Sequence, residues 1–377
     1  MNVELIQFYI VGILVVFSLS LTAFISTSYF KWRIPYGIGV MLVVSFSYVI
    51  VLQTLKLNTM HMYVDFSHWE EILWNITQSG LPLSPSSNFI HPGTSNYFST
   101  HFSPLLYIFA VPFLIWPYGE TLIFISSLGI ASSVIPLWKL SRHLGFDKNM
   151  SAIWLSLFLW HVTIQYIALY EFDMLRFSIP IFLWIIFFLE QKKWKYLYLF
   201  IILALTIRED VSLTVLMLGF YMLFFVKDLR HSVPVIILSI SYFIIVTQFI
   251  MPWLTLGNGN TLSHLNLSGY FTDLTNPYNF FSMLFDPIKL ANIFIIFLPL
   301  LFFPLFGWRI LTCCLAVLGV GLLSGSYTHL SYMLYYVSAC LPFLFYALLK
   351  GWPQVLTFFN TFPGVPKDNK ILATALQ

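Results

Sequence analysis

Charged residues are scarce in this 377-residue sequence. Asp, Glu, Lys and Arg together make up 9% of it, whereas a soluble domain has roughly 25%. The hydrophobic share is 59% and the mean hydropathy is +0.84. This balance excludes a single water-soluble globule, a disordered chain and a nucleic-acid-binding protein. The apolar runs are continuous rather than alternating, which excludes an outer-membrane barrel, so the composition indicates an all-α integral membrane protein.

Cysteine is also rare, and its placement excludes two further classes of site. Cys313, Cys314 and Cys340 all lie in apolar runs. We therefore interpret them as small buried hydrophobic residues and not as a disulfide or metal-binding set. No cleavable signal peptide is expected, because the first apolar run has no basic residues before it and has basic residues after it.

Apolar runs of bilayer length, about 20 residues each, predict about eleven transmembrane helices. They fall near residues 6–30, 36–55, 120–141, 150–169, 175–190, 196–208, 211–227, 233–251, 290–306, 309–325 and 333–349. The expected organisation is two N-terminal helices in 1–56, an external loop in 57–119, a helical bundle in 120–350 with a second external loop at 252–288, and a cytoplasmic tail in 351–377.

The basic residues predict the orientation of this bundle. With the N-terminus outside, 14 of the 18 Lys and Arg residues fall on one side of the membrane. Cytoplasmic loops carry the Lys/Arg excess, so that side is predicted to be the cytoplasm, and the C-terminus lies there too. The four basic residues left on the outside are Lys56, Arg176, Arg208 and Lys289. These predictions place the protein in the plasma membrane as a multi-pass protein.

The first external loop has an unusual composition. No Lys or Arg occurs between Leu57 and Trp138, and the loop contains four histidines, His61, His68, His91 and His101. Residues 102–116 are apolar but only about 15 long and contain prolines, so we expect a re-entrant or interfacial segment. A full span there would move three basic residues to the outside. Because loops carry function more often than cores do, the outer face is where we look for a site.

Five polar clusters on this face are candidates for chemistry. Asp65, after the second predicted span, is read as a general base or cation ligand, with an N-cap as the structural alternative. His101 begins His-Phe-Ser-Pro, and Arg208 begins Arg-Glu-Asp at a membrane edge, where charges are costly unless partnered. The other candidate residues are His68, Glu70, Trp74, Glu171, Asp173, Glu209, Asp210, His329 and Tyr335.

Each of these clusters also has a structural reading. His101 before a helix is commonly a hydrogen-bonded structural residue, and Glu171 with Asp173 is compatible with a solvated turn and a local Asp–Arg pair to Arg176. The 206–210 segment can be a tight loop between two spans. His329 and Tyr335 can be simple interface anchors. Spacing alone does not choose between these readings and a functional one.

The order of these motifs resembles that of a prokaryotic family of polytopic membrane proteins of unknown function, numbered 2079, which looks related to GT-C glycosyltransferases. The resemblance covers roughly residues 60–350. It is carried by Val64-Asp65 through Leu-Trp74-Asn75, by His101-Phe-Ser-Pro104, by Arg208-Glu-Asp210 and by a His/Tyr-rich loop from His329 to Tyr336. The chain departs from the family at Glu71, where members have Gln, and at 172–175, where Phe172-Asp173-Met-Leu replaces Phe-His-Pro-Glu.

The resemblance implies a GT-C-like bundle that transfers a sugar from a polyprenyl-phosphate donor to an acceptor (glycan, lipid or protein) on the extracytoplasmic face. Asp65 would be the base toward the acceptor, and Glu171 or Asp173 a second acidic residue. Arg208 would neutralise the departing phosphate, with Glu209 and Asp210 orienting it. A divalent cation, Mg²⁺ or Mn²⁺, is compatible with Asp65 and Asp173 as ligands, although the sequence does not require one.

Two other functions stay open from the sequence. A transporter or lipid flippase would place ionisable groups and broken helices near the midplane, whereas here the acidic groups collect on one face. His161 and Gln248 are the notable polar residues within predicted spans, and we interpret both as packing residues. A non-catalytic GT-C-like subunit is the third hypothesis, because the family motifs are incomplete.

Overall fold

A computed structural model of the chain describes residues 49–59, 62, 64–86, 95–255 and 276–361. Within these ranges the regular structure is helical, and the described β pairing is a single isolated bridge between Leu83 and Asn96. The first two predicted spans, apart from the end of the second, lie outside the described residues. So do His61, His91, most of the second external loop and the tail from residue 362.

The helices long and apolar enough to cross a bilayer number five in the described part of the chain. They are Gly119–His143, Leu229–Leu254, Pro277–Leu300, Phe303–Leu323 and Tyr327–Phe359. A bent pair, Lys148–Leu159 with Val162–Leu169, makes a sixth if it is one span. Shorter apolar helices are Val49–Asn58, Leu106–Ile115, Trp194–Leu205 and Val211–Val226. The described residues are therefore all-helical in their regular structure, with five to six candidate spans, and the full set of eleven is not established by these helices.

The predicted spans and the observed helices differ most in length. The predicted 175–190 run forms a helix of 13 residues, Ser178–Glu190, preceded by a 3₁₀ turn at Met174–Phe177. The predicted 290–306 run is divided between two segments. Its first part lies in Pro277–Leu300, which begins earlier because Asn276 and Asp286 each cap a helical turn with a side-chain oxygen, and its last residues begin Phe303–Leu323. Residues 102–116 form only a ten-residue helix, Leu106–Ile115, about 15 Å long, which does not cross a 30 Å core by itself.

The bent pair is interrupted at His161, the interior histidine noted in the sequence. His161 Nδ1 accepts a hydrogen bond from the Thr163 amide, which starts the second helix of the pair. Its Nε2 lies 2.9 Å from the carbonyl oxygen of Ile296, on a distant helix. The axes of the two helices differ by 54°. The imidazole thus satisfies the backbone at the break, as the packing interpretation predicts.

Two long helices form the centre of the bundle, and three lie at its edge. In Gly119–His143 and Tyr327–Phe359, 72% of the most apolar stretch is buried, against 17–22% in the other three long helices. Gly307 makes close packing against Tyr327–Phe359 possible, since a Cβ there would lie 2.3 Å from the Ala347 carbonyl oxygen. Few side chains of the three poorly buried helices are enclosed within the bundle.

Candidate functional site

Most of the candidate residues predicted for the outer face meet where four segments come together. These segments are the start of the Val64–Ser79 helix, which we call the loop helix, and the turns at 170–177, 206–210 and 327–336. Their contacts involve backbone groups as well as side chains, so each turn is held in a defined position.

The turn at 170–171 is held by polar side chains of neighbouring segments. It follows the Val162–Leu169 helix, whose last carbonyls have no partner within the helix. Gln53 donates to the Ala168 carbonyl at 2.9 Å and also to that of Tyr170. Lys56 donates to the Leu169 carbonyl at 3.0 Å, and Arg176 donates to the Tyr170 and Glu171 carbonyls. Cations at a helix C-terminus are favourable, so two of the four basic residues predicted to lie outside fix this turn.

Glu171 links this turn to the loop helix. Its side chain is fully buried, and Oε2 accepts the Phe66 amide hydrogen at 2.7 Å. Phe66 lies in the first turn of the loop helix, where amides lack partners within the helix. The carboxylate therefore caps the helix from a distance of 105 residues along the chain. It holds the neighbouring residue, Asp65, in place.

Asp65 is exposed, and its Oδ2 accepts a hydrogen bond from the Tyr170 hydroxyl at 3.1 Å. Burial and then the negative charge of Asp65 raise the pKa of Tyr170, so the phenol stays protonated and keeps donating. The loop helix starts at Val64, which puts Asp65 inside its first turn. The side chain thus bonds to a distant tyrosine, and its solvent-facing position is the one that a base toward an incoming acceptor requires.

A second buried carboxylate, Glu209, holds the other part of the external loop. Its Oε1 lies 2.9 Å from His101 Nδ1, and its Oε2 accepts the Phe102 amide hydrogen at 2.9 Å. The Leu105 amide also donates to the Thr206 carbonyl at 3.0 Å. Glu209 is 4% exposed. We expected Glu209 to orient Arg208 or the phosphate. Instead, both of its carboxylate oxygens bond to the His101–Phe102 segment.

Asp210 is the carboxylate that orients Arg208. The guanidinium donates to it with two nitrogens, Nε to Oδ1 at 2.8 Å and Nη2 to Oδ2. Arg208 is nearly buried, whereas the Asp210 side chain is 41% exposed. The third guanidinium nitrogen, Nη1, has no hydrogen-bond partner within the described residues. The guanidinium also lies 5.5 Å from the centre of the Tyr336 ring, a cation–π contact.

Three tyrosines connect Asp65 with Arg208, and we call them the tyrosine bridge: Tyr170, Tyr335 and Tyr336. The ring centres of Tyr170 and Tyr335 are 5.2 Å apart, and those of Tyr335 and Tyr336 are 4.5 Å apart. One end of the bridge bonds to the Asp65 carboxylate, and the other lies beside the Arg208 guanidinium. All three rings are half-buried. The base candidate and the phosphate candidate thus belong to one continuous surface.

Asp173 lies behind this surface. It is 5% exposed, and its Oδ1 accepts the Leu175 amide hydrogen at 2.7 Å, which starts the 3₁₀ turn. Burial raises its pKa to about 6, although Arg208 and Arg176 oppose the rise. The sequence is compatible with a local ion pair between Asp173 and Arg176. This pair is not formed, because Arg176 bonds to backbone carbonyls instead. The carboxyl group therefore changes charge near pH 6, next to the Arg208 side chain.

The remaining candidates lie around the edge of the site. His68 Nδ1 is 3.0 Å from the hydroxyls of both Ser84 and Ser86, and burial lowers the pKa of this imidazole. His329 packs edge-on against Tyr336, with ring centres 4.8 Å apart, and its Nδ1 lies 2.6 Å from Ser324 Oγ. Trp74 is 49% exposed on the loop helix. A substrate contact for any of these residues stays a prediction.

Several residues of the site were not among the candidates from the sequence. Tyr170 and Tyr336 belong to the tyrosine bridge, and Tyr97 packs against His68, Trp69 and His101 with ring centres 5.1–6.1 Å apart. Their motifs were visible, since Tyr170 precedes Glu171 and Tyr336 follows Tyr335. Tyrosine at a membrane interface is common as an anchor, so the sequence alone contains no signal that separates these residues from anchors.

The cation ligands expected from the sequence do not come together as a set. Asp65 is exposed and bonded to Tyr170, whereas Asp173 is buried with Oδ1 on a backbone amide. Among the described residues, no three His, Cys, Asp or Glu side chains are grouped so that they could hold a metal ion. A divalent cation held by one or two carboxylates together with the substrate phosphate stays a prediction.

Comparison with known proteins identifies the family to which the chain belongs. The sequence profile of the family described as "Predicted membrane protein (DUF2079)" matches residues 56–365. The match spans the loop helix, the tyrosine bridge and the Arg208 turn. The chain belongs to this family of predicted membrane proteins, and its several apolar helices fit a multi-pass membrane location. No curated protein and no solved structure matches the chain.

Proposed function

We propose that the protein is a GT-C-type membrane glycosyltransferase that uses a polyprenyl-phosphate sugar and acts on the extracytoplasmic face. The observation that carries this proposal is the tyrosine bridge. It places an exposed carboxylate, Asp65, and a nearly buried guanidinium, Arg208, on one surface. A sugar phosphate needs these two groups at its two ends, a base near the acceptor and a cation near the leaving group.

In the proposed reaction the acceptor hydroxyl attacks the anomeric carbon from the side opposite the phosphate. Asp65 takes the hydroxyl proton as the new glycosidic bond forms. The bond between the anomeric carbon and the phosphate oxygen breaks, and polyprenyl phosphate leaves with the electron pair. Arg208 binds that phosphate through Nη1 while Asp210 holds the other two nitrogens of the guanidinium.

Two buried carboxylates act as positioning residues in this scheme. Glu171 holds the first turn of the loop helix and with it Asp65. Glu209 holds His101 and Phe102 beside Arg208. Both carboxylates belong to the bundle and bond to the external loop. They therefore hold Asp65 and Arg208 at a fixed distance from each other. The rings of the bridge form the wall that faces the sugar, and Asp173 lies behind them.

A transfer assay with the purified chain tests the proposal. The full-length protein in proteoliposomes would be incubated with a panel of radiolabelled polyprenyl-phosphate hexoses and with membrane extract as acceptor source. We expect release of polyprenyl phosphate from at least one donor, and its loss by about 10²-fold or more in Asp65→Asn. Glu71→Gln is the matched control, because Glu71 bonds to Ser84 and Ser86 instead of the bridge. Equal rates for wild type and Asp65→Asn would refute the mechanism.

One observation supports a second function, a lipid flippase. The Lys148–Leu159 and Val162–Leu169 helices form a broken span, and broken helices are typical of transporters. A flippase would move a fluorescent polyprenyl-phosphate analogue between leaflets without releasing phosphate. Scrambling in proteoliposomes that is unchanged in Asp65→Asn, with no donor cleavage by wild type, would favour the flippase over the transferase.

A further inference from the structure

An open groove of about 490 Å³ lies on the bundle, and none of its lining residues belongs to the tyrosine bridge. It is lined by Ile50, Thr54, Pro112, Ile115, Trp116, Glu120, Thr121, Ile123 and Phe124. Apart from Trp116, which follows the second of them, these residues come from three helices, Val49–Asn58, Leu106–Ile115 and Gly119–His143. Its volume is that of a site for a small ligand, and most of its walls are apolar.

The groove has a polar end and an apolar end. Glu120 and Thr121 lie in the first turn of Gly119–His143, and Ile123 and Phe124 lie one turn further in. Trp116 and Tyr118, with ring centres 5.7 Å apart, stand next to the polar end, and such rings mark the headgroup level of a bilayer. The polar end therefore faces the membrane interface, while the apolar end extends into hydrocarbon. A lipid chain fits this arrangement with its head group at the interface.

The charge at the polar end selects the head group. Glu70, on the loop helix, reaches over Gly119, where a Cβ would lie only 2.7 Å from its Oε1. Burial and then the negative charge of Glu120 raise the pKa of Glu70, so the two carboxylates act on each other. Neither forms a hydrogen bond or ion pair within the described residues, and the sequence contains no Lys or Arg between Leu57 and Trp138. A phosphate-only head group would be repelled here, whereas an ammonium would be attracted.

We propose that this groove binds a lipid with an ammonium head group, with Glu70 and Glu120 at the ammonium and the chain between the three helices. The ligand is separate from the donor of the proposed reaction, whose phosphate would lie near Arg208. This binding site does not depend on the transferase activity, and its test does not measure that activity.

Photo-crosslinking of the full-length protein tests the site. The protein would be placed in phosphatidylglycerol nanodiscs with a trace of either phosphatidylethanolamine or phosphatidylglycerol carrying a diazirine in the chain. After irradiation, labelled peptides would be quantified by mass spectrometry. We expect the ethanolamine probe to label residues 112–124 about fivefold more than the glycerol probe. Labelling of the lipid-facing Leu229–Leu254 helix provides the internal reference, and there the two probes should label equally.

Two pairs of variants test the binding of the lipid's acyl chain and of its head group separately. Thr54→Trp fills the groove and should remove most labelling of residues 112–124 by both probes. The control is Leu55→Trp, because Leu55 is 43% exposed and does not line the groove, and this variant should leave the labelling unchanged. The double variant Glu70→Gln with Glu120→Gln should abolish the preference for ethanolamine, and Glu71→Gln should retain it.

Three results would overturn the proposal. They are equal labelling by the two probes in wild type, labelling that persists in Thr54→Trp, and stronger labelling of the groove by a diazirine polyprenyl phosphate than by the ethanolamine probe. The last result would assign the groove to the donor lipid. A variant that fails to fold is recognised by altered labelling of Leu229–Leu254, and the probe comparison in wild type still decides the head-group preference.

Discussion

Tyr170 donates its hydroxyl hydrogen to Oδ2 of Asp65 across 3.1 Å, which joins two residues separated by 105 positions. The bond forms because hydrogen bonds from neighbouring residues hold the backbone of each partner in position. Glu171 caps the helix turn that carries Asp65, and Gln53, Lys56 and Arg176 hold the carbonyls around Tyr170. The exposed carboxylate is thus preorganised by buried groups, as an active-site base requires.

Removing the charge of Asp65 gives the first prediction. Asp65→Asn keeps the size of the side chain and a carbonyl acceptor for Tyr170, so the fold should be retained. The amide cannot take a proton from the acceptor, and donor cleavage should fall by about 10²–10⁴-fold. Initial rates of polyprenyl phosphate release measure this, with thermal unfolding as the check of folding. A loss below threefold would show that Asp65 is not the base.

Tyr170→Phe gives the second prediction. The phenylalanine keeps the ring contact with Tyr335 but removes the hydroxyl that orients Asp65. We expect kcat to fall by about tenfold while the KM for the donor stays unchanged, because Asp65 is then held less firmly toward the acceptor. The matched control is Tyr166→Phe, since Tyr166 contacts Tyr332 and has no bond to Asp65. An unchanged kcat in Tyr170→Phe, or a change in KM alone, would contradict a positioning role.

Arg208→Lys gives the third prediction. Lysine keeps one positive charge but cannot make the two parallel bonds to Asp210 and a third to phosphate. The apparent KM for the donor should increase by about tenfold or more, while Arg230→Lys, outside this cluster, should leave it unchanged. Donor titration in proteoliposomes measures the change. Equal KM values for wild type and Arg208→Lys would place the phosphate elsewhere.

The sequence predicted the class of fold and several members of the site for physical reasons that do not depend on tertiary contacts. Long apolar runs require membrane helices, and rare charges at a membrane edge require partners. Those rules identified Asp65, His101, Arg208 and Asp210, which the structure brings to one surface. The family was also predicted from motif order, and the match over residues 56–365 confirms it.

The partners of these residues could not be predicted in the same way. Glu209 and Asp210 are adjacent in sequence, yet one bonds to His101 and Phe102 and the other to Arg208. Which carboxylate turns toward which partner depends on the rotation of the chain at the start of Val211–Tyr221, which local sequence does not specify. The tyrosine bridge likewise depends on two turns that lie far apart in the sequence.

Glu209→Gln gives the fourth prediction. The glutamine side chain keeps one oxygen that can accept the Phe102 backbone N–H, but its bond to His101 is weaker than that of the carboxylate. The side chain at position 209 is buried, so water does not replace the weakened bond. We expect a loss of about 1–3 kcal/mol in local stability, seen as faster hydrogen exchange in residues 97–105. The control is Glu190→Gln, whose partners Tyr346 and Lys350 are far from the loop, and exchange in 97–105 should not change. Equal protection of this segment in wild type and Glu209→Gln would show that the carboxylate does not hold it.

The buried Asp173 carboxyl gives the fifth prediction, a pH dependence of stability. Its pKa is raised from 3.8 to about 6 by burial, so the folded protein binds this proton more tightly than the unfolded chain does. The stability contributed by the proton is fully present below pH 3.8 and is lost as the pH rises through 6. A shift of about two pKa units corresponds to at most about 3 kcal/mol.

Asp173→Asn removes this titration while keeping an oxygen that can accept the Leu175 amide hydrogen. The thermal midpoint of the variant relative to wild type should therefore rise between pH 4 and pH 7, because only wild type has to bury a charge at the higher pH. Thermal unfolding in detergent at closely spaced pH values measures this difference. A difference that is constant with pH, or that falls as the pH rises, would mean that Arg208 and Arg176 outweigh burial and that Asp173 is already charged at pH 4.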